Sequence, residues 1–235
     1  MMTADLSGIQ KFIYTVATKG AQRSLRSRSF FLELLMEHYV DEVLSACGLS
    51  RANLIYSGGS HCYLLLPNTK AARERAQAVN ACMNDWLIDQ FGSRLFLAQG
   101  MTACSADELT NTPAVKAPYK AMFARLSTAI SQSKLRRYSA SQLRRLNAES
   151  AGLDGRECTV CGSTDVLREG RCAWCARFED ISIRIQDESR VAYYVTGYDS
   201  GHWDLWLPTR DGRVYLTLVD EATARKRIAT DTAVR

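Results

Sequence analysis

Proline is scarce in this 235-residue chain, at 4 residues, and glycine is held to 14, so neither a fibrous nor a low-complexity disordered protein is encoded. No uncharged apolar run approaches the roughly 18 residues of a membrane-spanning helix. The opening Met1-Met2-Thr3-Ala4-Asp5 lacks the basic-then-apolar pattern of a secretory signal. These absences point to a cytoplasmic chain without a membrane partner. Its 3 histidines fall in no HD or HExxH pattern, and no Walker loop, GxGxxG or GxSxG is present. The commonest phosphohydrolase, dinucleotide and serine-hydrolase chemistries are thereby excluded. What is present is ordinary for a globular protein: 46% hydrophobic residues, 23% charged, and enough length to bury a core without disulfides.

Charge is segregated. No Asp or Glu occurs from Leu109 to Ala148, whereas Lys116, Lys120, Arg125, Lys134, Arg136, Arg137, Arg144 and Arg145 do. These eight positive charges exceed the net +5 of the whole chain. The block is read as a footprint for nucleic acid or an acidic partner, with Lys134, Arg136, Arg137, Arg144 and Arg145 as contacts. A solvated helix face is the plainer alternative, although such faces usually mix signs to gain i,i+4 pairs.

Periodicity gives the order βαββαβ over the first hundred residues. A strand at Thr3–Leu6 is followed by a helix over about Ser24–Ala46, with Leu25, Leu32, Leu35, Met36, Tyr39 and Val43 on one stripe and Gly48 past its end. Strands at Asn53–Tyr56 and His61–Leu66 flank Ser57-Gly58-Gly59-Ser60, a glycine hairpin. A second helix over Lys70–Gln90 precedes a fourth strand, Arg94–Thr102. The fold class is α+β: a ferredoxin-like unit, an antiparallel sheet with two helices on one face. Its first and third strands are central, which brings the hairpin tip to the end of strand one. Predicted domains are 1–108 for this unit, 109–150 for a basic helical segment, and 151–235 for a cysteine-bearing region with a strand-rich tail. Asn147–Gly155 reads as a linker.

Cys158-Thr-Val-Cys161 and Cys172-Ala-Trp-Cys175 are two CxxC knuckles ten residues apart. Four thiolates at tetrahedral positions close a structural zinc-ribbon site with no position left for water. Two unrelated buried cysteine pairs are the alternative. Four thiolates around Zn²⁺ carry −2, and Arg156, Arg168, Arg171 and Arg177 lie near in sequence to offset it. Cys47, Cys62, Cys82 and Cys104 are read as small core residues.

A sheet with a glycine hairpin opposite an Asp resembles the palm of polymerases and nucleotide cyclases, where carboxylates on strand one and at the hairpin hold two metals. Here the tip has no carboxylate, and Asp5 alone cannot hold two divalent ions. What remains suits binding: glycines that admit a nucleotide to the backbone and hydroxyls on Ser7, Ser57 and Ser60. Taken alone, Gly58-Gly59 reads as a tight turn.

The strings DLSGIQKFIY from Asp5 to Tyr14, SRSF from Ser27 to Phe30 and NLIYSGGSH from Asn53 to His61, with the double CxxC, resemble the large polymerase-like subunit of type III-A CRISPR effector complexes. The resemblance implies a first palm and a zinc-bearing region, without the HD nuclease domain or the GGDD-bearing second palm. It implies a parent subunit of antiviral defence that cleaves single-stranded DNA and joins ATP into cyclic oligoadenylates, as a nucleotidyltransferase, once its complex binds target RNA. It places Asp5, Ser7, Gly8, Ser57, Gly58, Gly59 and Ser60 on the non-catalytic half of the ATP pocket, with Mg²⁺ or Mn²⁺ held only in the context of the second palm. Other effector subunits, guide RNA and target RNA are the implied partners, and the chain alone is expected to be inactive. The rival reading is a non-enzymatic RNA-binding module that stacks bases on the sheet. It is disfavoured because strand one has no aromatic residue and strand three has only Tyr63.

Overall fold

A computed structural model describes residues 1–14, 21–148, 157–164, 167–186 and 192–232. The expected linker beyond Ala148, and Arg156, lie outside them. The chain divides into two compact units, Met1–Ile9 with Glu33–Leu146, and Gln10–Leu32 with Asn147–Arg235.

β1 (Met2–Ser7) opens the first unit; α1 (Ile9–Tyr14) and α2 (Ala21–Cys47) follow, only the second half of α2 belonging to this unit, then β2 (Leu54–Gly58), β3 (His61–Leu64), α3 (Lys70–Phe91) and β4 (Phe96–Met101). The strands form one antiparallel sheet in the order β2-β3-β1-β4. Gly48, at φ +69, ends α2 in a Schellman motif: Leu49 N donates to Leu44 O at 2.8 Å and Gly48 N to Ser45 O at 3.0 Å. Gly59 and Ser60 both take positive φ, 58° and 69°, the primed turn whose twist matches a two-residue hairpin.

Alternation along β1 gives the sheet two distinct faces. Met2, Ala4 and Leu6 are buried on the face shared with Cys62, Leu97 and Gln99. The second half of α2 and α3 cover it. Gln99 Nε2 donates to the Tyr39 hydroxyl at 2.8 Å and to the Ala76 carbonyl at 3.0 Å, and the Asn84 amide exchanges two bonds with the Leu97 backbone. Burial pushes the Cys62 thiol up to about 12, so it is an inert core thiol.

The second face carries Thr3, Asp5, His61, Tyr63, Ala98 and Gly100. Beyond β4 come α4 (Ala106–Thr110), α5 (Pro118–Leu135) and α6 (Ala140–Ala148). α5 lies on this second face, with Met122 and Leu126 packed by Met1 and Ile130 by Phe96 and Ala98. A Cβ at Gly100 would stand 3.0 Å from Ile130 N, so the missing side chain lets helix and strand approach. The basic segment is thus a layer of the first unit.

The second unit holds α1, the first half of α2, the cysteine knuckles, α7 (Ala173–Arg184), β5 (Ala192–Thr196), β6 (Leu205–Thr209), β7 (Gly212–Val219) and α8 (Glu221–Thr230). The tail strands form a sheet in the order β5-β7-β6. Phe12, Phe31, Trp174 and Phe178 pack ring to ring at 5.4 to 6.1 Å. The second knuckle opens a helix, and among the described residues the pairing around the cysteines consists of isolated bridges, Glu157 with Thr164 and Arg168 with Arg171.

Gly8 shows why the backbone turns where it does. Its φ is +95, and a Cβ there would stand 1.9 Å from the Arg94 carbonyl oxygen. Gly8→Ala is expected to lower stability by more than about 2 kcal/mol. Gly48→Ala, also at positive φ but facing open space, should lose about 1 kcal/mol. Urea midpoints at constant slope measure both, and equal losses would contradict the close approach at Gly8.

Candidate functional site

The four knuckle cysteines bring their sulfurs within 4.8 Å of one another, all buried. Backbone N–H groups turn toward sulfur: Cys172 N donates to Cys158 Sγ at 3.3 Å and Cys175 N to Cys172 Sγ at 3.4 Å. Cys172 is the N-cap of α7, and its sulfur accepts from the first turn, while its hydrogen bond with Cys161 pushes its thiol up. Hydrogen bonds from Cys172 and then Cys175 hold Cys161 below the ordinary thiol range, and the same crowding pushes Cys175 up. A cation that replaces the shared protons relieves this conflict, and the donor set is a closed tetrahedral one.

Arg28 strengthens the fit. It is 2% exposed, yet among the described residues it meets no carboxylate. Its guanidinium donates to the Phe12 carbonyl at 2.7 Å, to Ser24 Oγ at 3.0 Å and to Cys175 Sγ at 3.4 Å, and it lies over the Phe12 and Phe178 rings. A buried cation needs a counter-charge, and Cys175 of the sulfur cluster is a group it touches that could carry one.

At the hairpin end of the first sheet, Leu6 N donates to Ser60 O at 3.0 Å, and Asp5 stands opposite His61. The expected meeting of hairpin tip and strand one therefore occurs. Asp5 is already engaged. His61 Nδ1 lies 3.2 Å from its Oδ1, Lys134 of α5 forms an ion pair with its Oδ2, and Thr3 Oγ1 shares a hydrogen bond with His61 Nε2 at 3.1 Å. Because a carboxylate only accepts, the ring proton belongs on Nδ1. The His61 bond, followed by Lys134, holds the Asp5 carboxyl below its ordinary value against a desolvation that raises it.

The other expected lip residues divide. Ser57 pairs with Cys62, on the helix-covered face, and its hydroxyl donates to Glu37 Oε1 at 2.7 Å. It therefore faces away from Asp5. Gly8 is accounted for by Arg94, and Ser7 lies beside it at the end of β1. Gly58, Gly59 and Ser60 remain at the turn. Of the expected polyanion contacts, Lys134 is held by Asp5, and Arg145 by Asp85 and Asp89 at 3.4 and 3.3 Å. Arg137 lies over the Phe96 ring at 5.8 Å.

Each unit also has a cleft. One of about 670 Å³ lies at the far end of the first sheet, between Met1, Leu65, Pro67, Met101 and Leu109. Another of about 620 Å³ in the second unit is lined by Arg168, Arg171, Arg177, Arg184 and Trp203. Sequence reasoning also missed an aromatic group at the hairpin, formed by Tyr56, His61 and Tyr63. The alternation of β2 and β3 was the signal that pairs them.

A depressed Asp5 stabilises the fold above the ordinary carboxylate range, and this contribution is lost as pH falls through its folded value. Lys134→Met is expected to shift the Asp5 carboxyl titration, followed by carbon NMR, upward toward 3.8. An unmoved titration would contradict the ion pair.

The family model of Csm1 subunit domain B matches residues 1–149. The CRISPR system single-strand-specific deoxyribonuclease Cas10/Csm1 (subtype III-A) of Mycobacterium tuberculosis is 45% identical over 204 residues, covering 81% of this chain and 25% of that protein. Its counterpart from Enterococcus italicus is 37% identical over 192 residues, covering 80% of this chain and 25% of that protein. The chain therefore spans about a quarter of the length of these relatives. A crystal structure of a Csm1–Csm4 cassette in complex with pppApA shares the fold, with a TM-score of 0.70 and 24% identity over 94% of this chain and 25% of that one. A second cassette, in complex with pppApApA, gives a TM-score of 0.54 and 32% identity over 63% of this chain and 20% of that one. The chain belongs to the Csm1 subunit family of subtype III-A CRISPR systems, whose domain B it carries.

Proposed function

We propose that this chain comprises the first, ferredoxin-like palm and the zinc-bearing region of a type III-A effector large subunit, acting in cytoplasmic antiviral defence. In it, residues 1–108 are the non-catalytic half of an ATP pocket. The Mycobacterium tuberculosis relative is named a single-strand-specific deoxyribonuclease, and crystal structures of Csm1–Csm4 cassettes hold ATP, pppApA or cA4. The observation that carries the reading is the lip. A glycine turn opens beside Asp5, whose charge is already balanced by Lys134 and whose carboxylate is hydrogen-bonded by His61.

On this reading, Gly58, Gly59 and Ser60 give a nucleotide access to the backbone, with Asp5 and Ser7 at the same edge. The second palm supplies the carboxylates for Mg²⁺ or Mn²⁺, and a neighbouring subunit, guide RNA or target RNA meets the basic layer. Arg136 and Arg144, rather than the internally paired Lys134 and Arg145, are the contacts to test first. Purified chain with ATP and Mg²⁺ is expected to bind nucleotide weakly and to form no cyclic product. Turnover by the chain alone would overturn the assignment.

The cysteine cluster is assigned one structural Zn²⁺, with Arg28 as the positioning residue that offsets its negative charge. One zinc per chain is expected by elemental analysis. Arg28→Met should weaken zinc retention by roughly 10- to 100-fold in chelator competition, with Arg28→Lys intermediate. Metal-free protein of unchanged melting temperature, or retention indifferent to Arg28, would contradict it.

A further inference from the structure

Three rings gather around Gly58 on the α5 face of the sheet. Tyr56 and Tyr63 are cross-strand partners with centroids 6.3 Å apart, and His61, the partner of Gly58, lies 4.9 Å from Tyr63. A Cβ at Gly58 would stand 2.9 Å from the Tyr56 hydroxyl, so the phenol lies across bare backbone at the mouth of the hairpin turn. Phe123 of α5 packs on Tyr63 at 5.3 Å and Tyr119 on Phe123 at 4.7 Å, extending the rings along the same face.

Core packing accounts for part of this group. Tyr63 and Phe123 pack against the buried cluster of Met1, Met122 and Leu126. It does not account for Tyr56, which is 52% exposed on the edge strand β2, or for the 31% exposed His61. An edge strand is ordinarily blunted by charge, so a half-exposed phenol held flat there is costly unless something covers it. A planar π-face beside a glycine turn matches the parts of a nucleotide. The bare backbone of the turn suits phosphate, and the rings suit a base.

We propose that Tyr56, supported by Tyr63 and His61, is a nucleobase-stacking site, in which an adenine ring lies on the Tyr56 phenol above Gly58. This deepens the nucleotide reading of the lip and rests on it. The same base chemistry comes from a free nucleotide or from a single strand, since every base presents a π-face.

The test compares the whole chain with Tyr56→Ala and Tyr56→Phe, all three checked for unchanged melting, in equilibrium dialysis against ATP and against tripolyphosphate. ATP affinity should fall by about tenfold in Tyr56→Ala and be retained in Tyr56→Phe, while tripolyphosphate binding is the same in all three. Saturation transfer from protein to the adenine H2 and H8 protons should vanish with the ring. Equal ATP affinity in wild type and Tyr56→Ala would overturn the stacking site and leave the lip reading standing. Failure of the wild-type chain to bind ATP would overturn both. Hexa-adenylate in parallel identifies the source. A strand is indicated if it binds more tightly than ATP and loses the same factor in Tyr56→Ala, a free nucleotide if it does not.

Discussion

Lys134 reaches Asp5 because α5 lies close on β4, where Gly100 offers no side chain to hold it off. The same approach buries Met122, Leu126 and Ile130 on the second face of the sheet, so one packing contact both covers that face and fixes the charge state of the lip. A carboxylate that already accepts from an imidazole and an ammonium is a poor ligand for a divalent cation. Binding the ion would strip away both donors and place it beside a positive charge. The geometry thus leaves Asp5 unsuited to holding a divalent ion.

The second unit is organised by a different constraint. Arg28 is buried against the knuckle sulfurs and between two phenylalanine rings. It joins a segment near the chain start to cysteines more than a hundred residues later. Without a negative cluster beside it, its desolvation would be uncompensated. The docking of Gln10–Leu32 with the cysteine region runs through this contact of Arg28 with Cys175.

Much of the first unit was legible in the sequence. The apolar stripes of α2 and α3, Gly48 past the end of α2, and the Gly58-Gly59 turn between alternating runs rest on local chemistry, and each element formed within a few residues of its expected bounds. The double CxxC fixed the thiol cluster because ligand spacing is itself local. What escaped notice depends on distant partners. Met122, Leu126 and Ile130 form a stripe that does not say which surface it meets, and the charge run around Lys134 and Arg145 does not disclose Asp5, Asp85 and Asp89. Phe12, Phe31 and Phe178 are far apart in the chain, so nothing local groups the first two with the cysteines. Ser57 looked like a lip residue because it adjoins Gly58, yet strand alternation turns its hydroxyl to Glu37. Base-stacking sheets carry their rings on central strands, whereas Tyr56 stands on the edge strand β2.

The central claim is that the hairpin lip holds no catalytic divalent ion of its own. Titration of the purified chain with Mn²⁺, followed by electron paramagnetic resonance of the free ion in wild type and Asp5→Asn, tests it most directly. The account predicts that the two proteins deplete free Mn²⁺ alike. A saturable Mn²⁺ site present in wild type and lost in Asp5→Asn would contradict it.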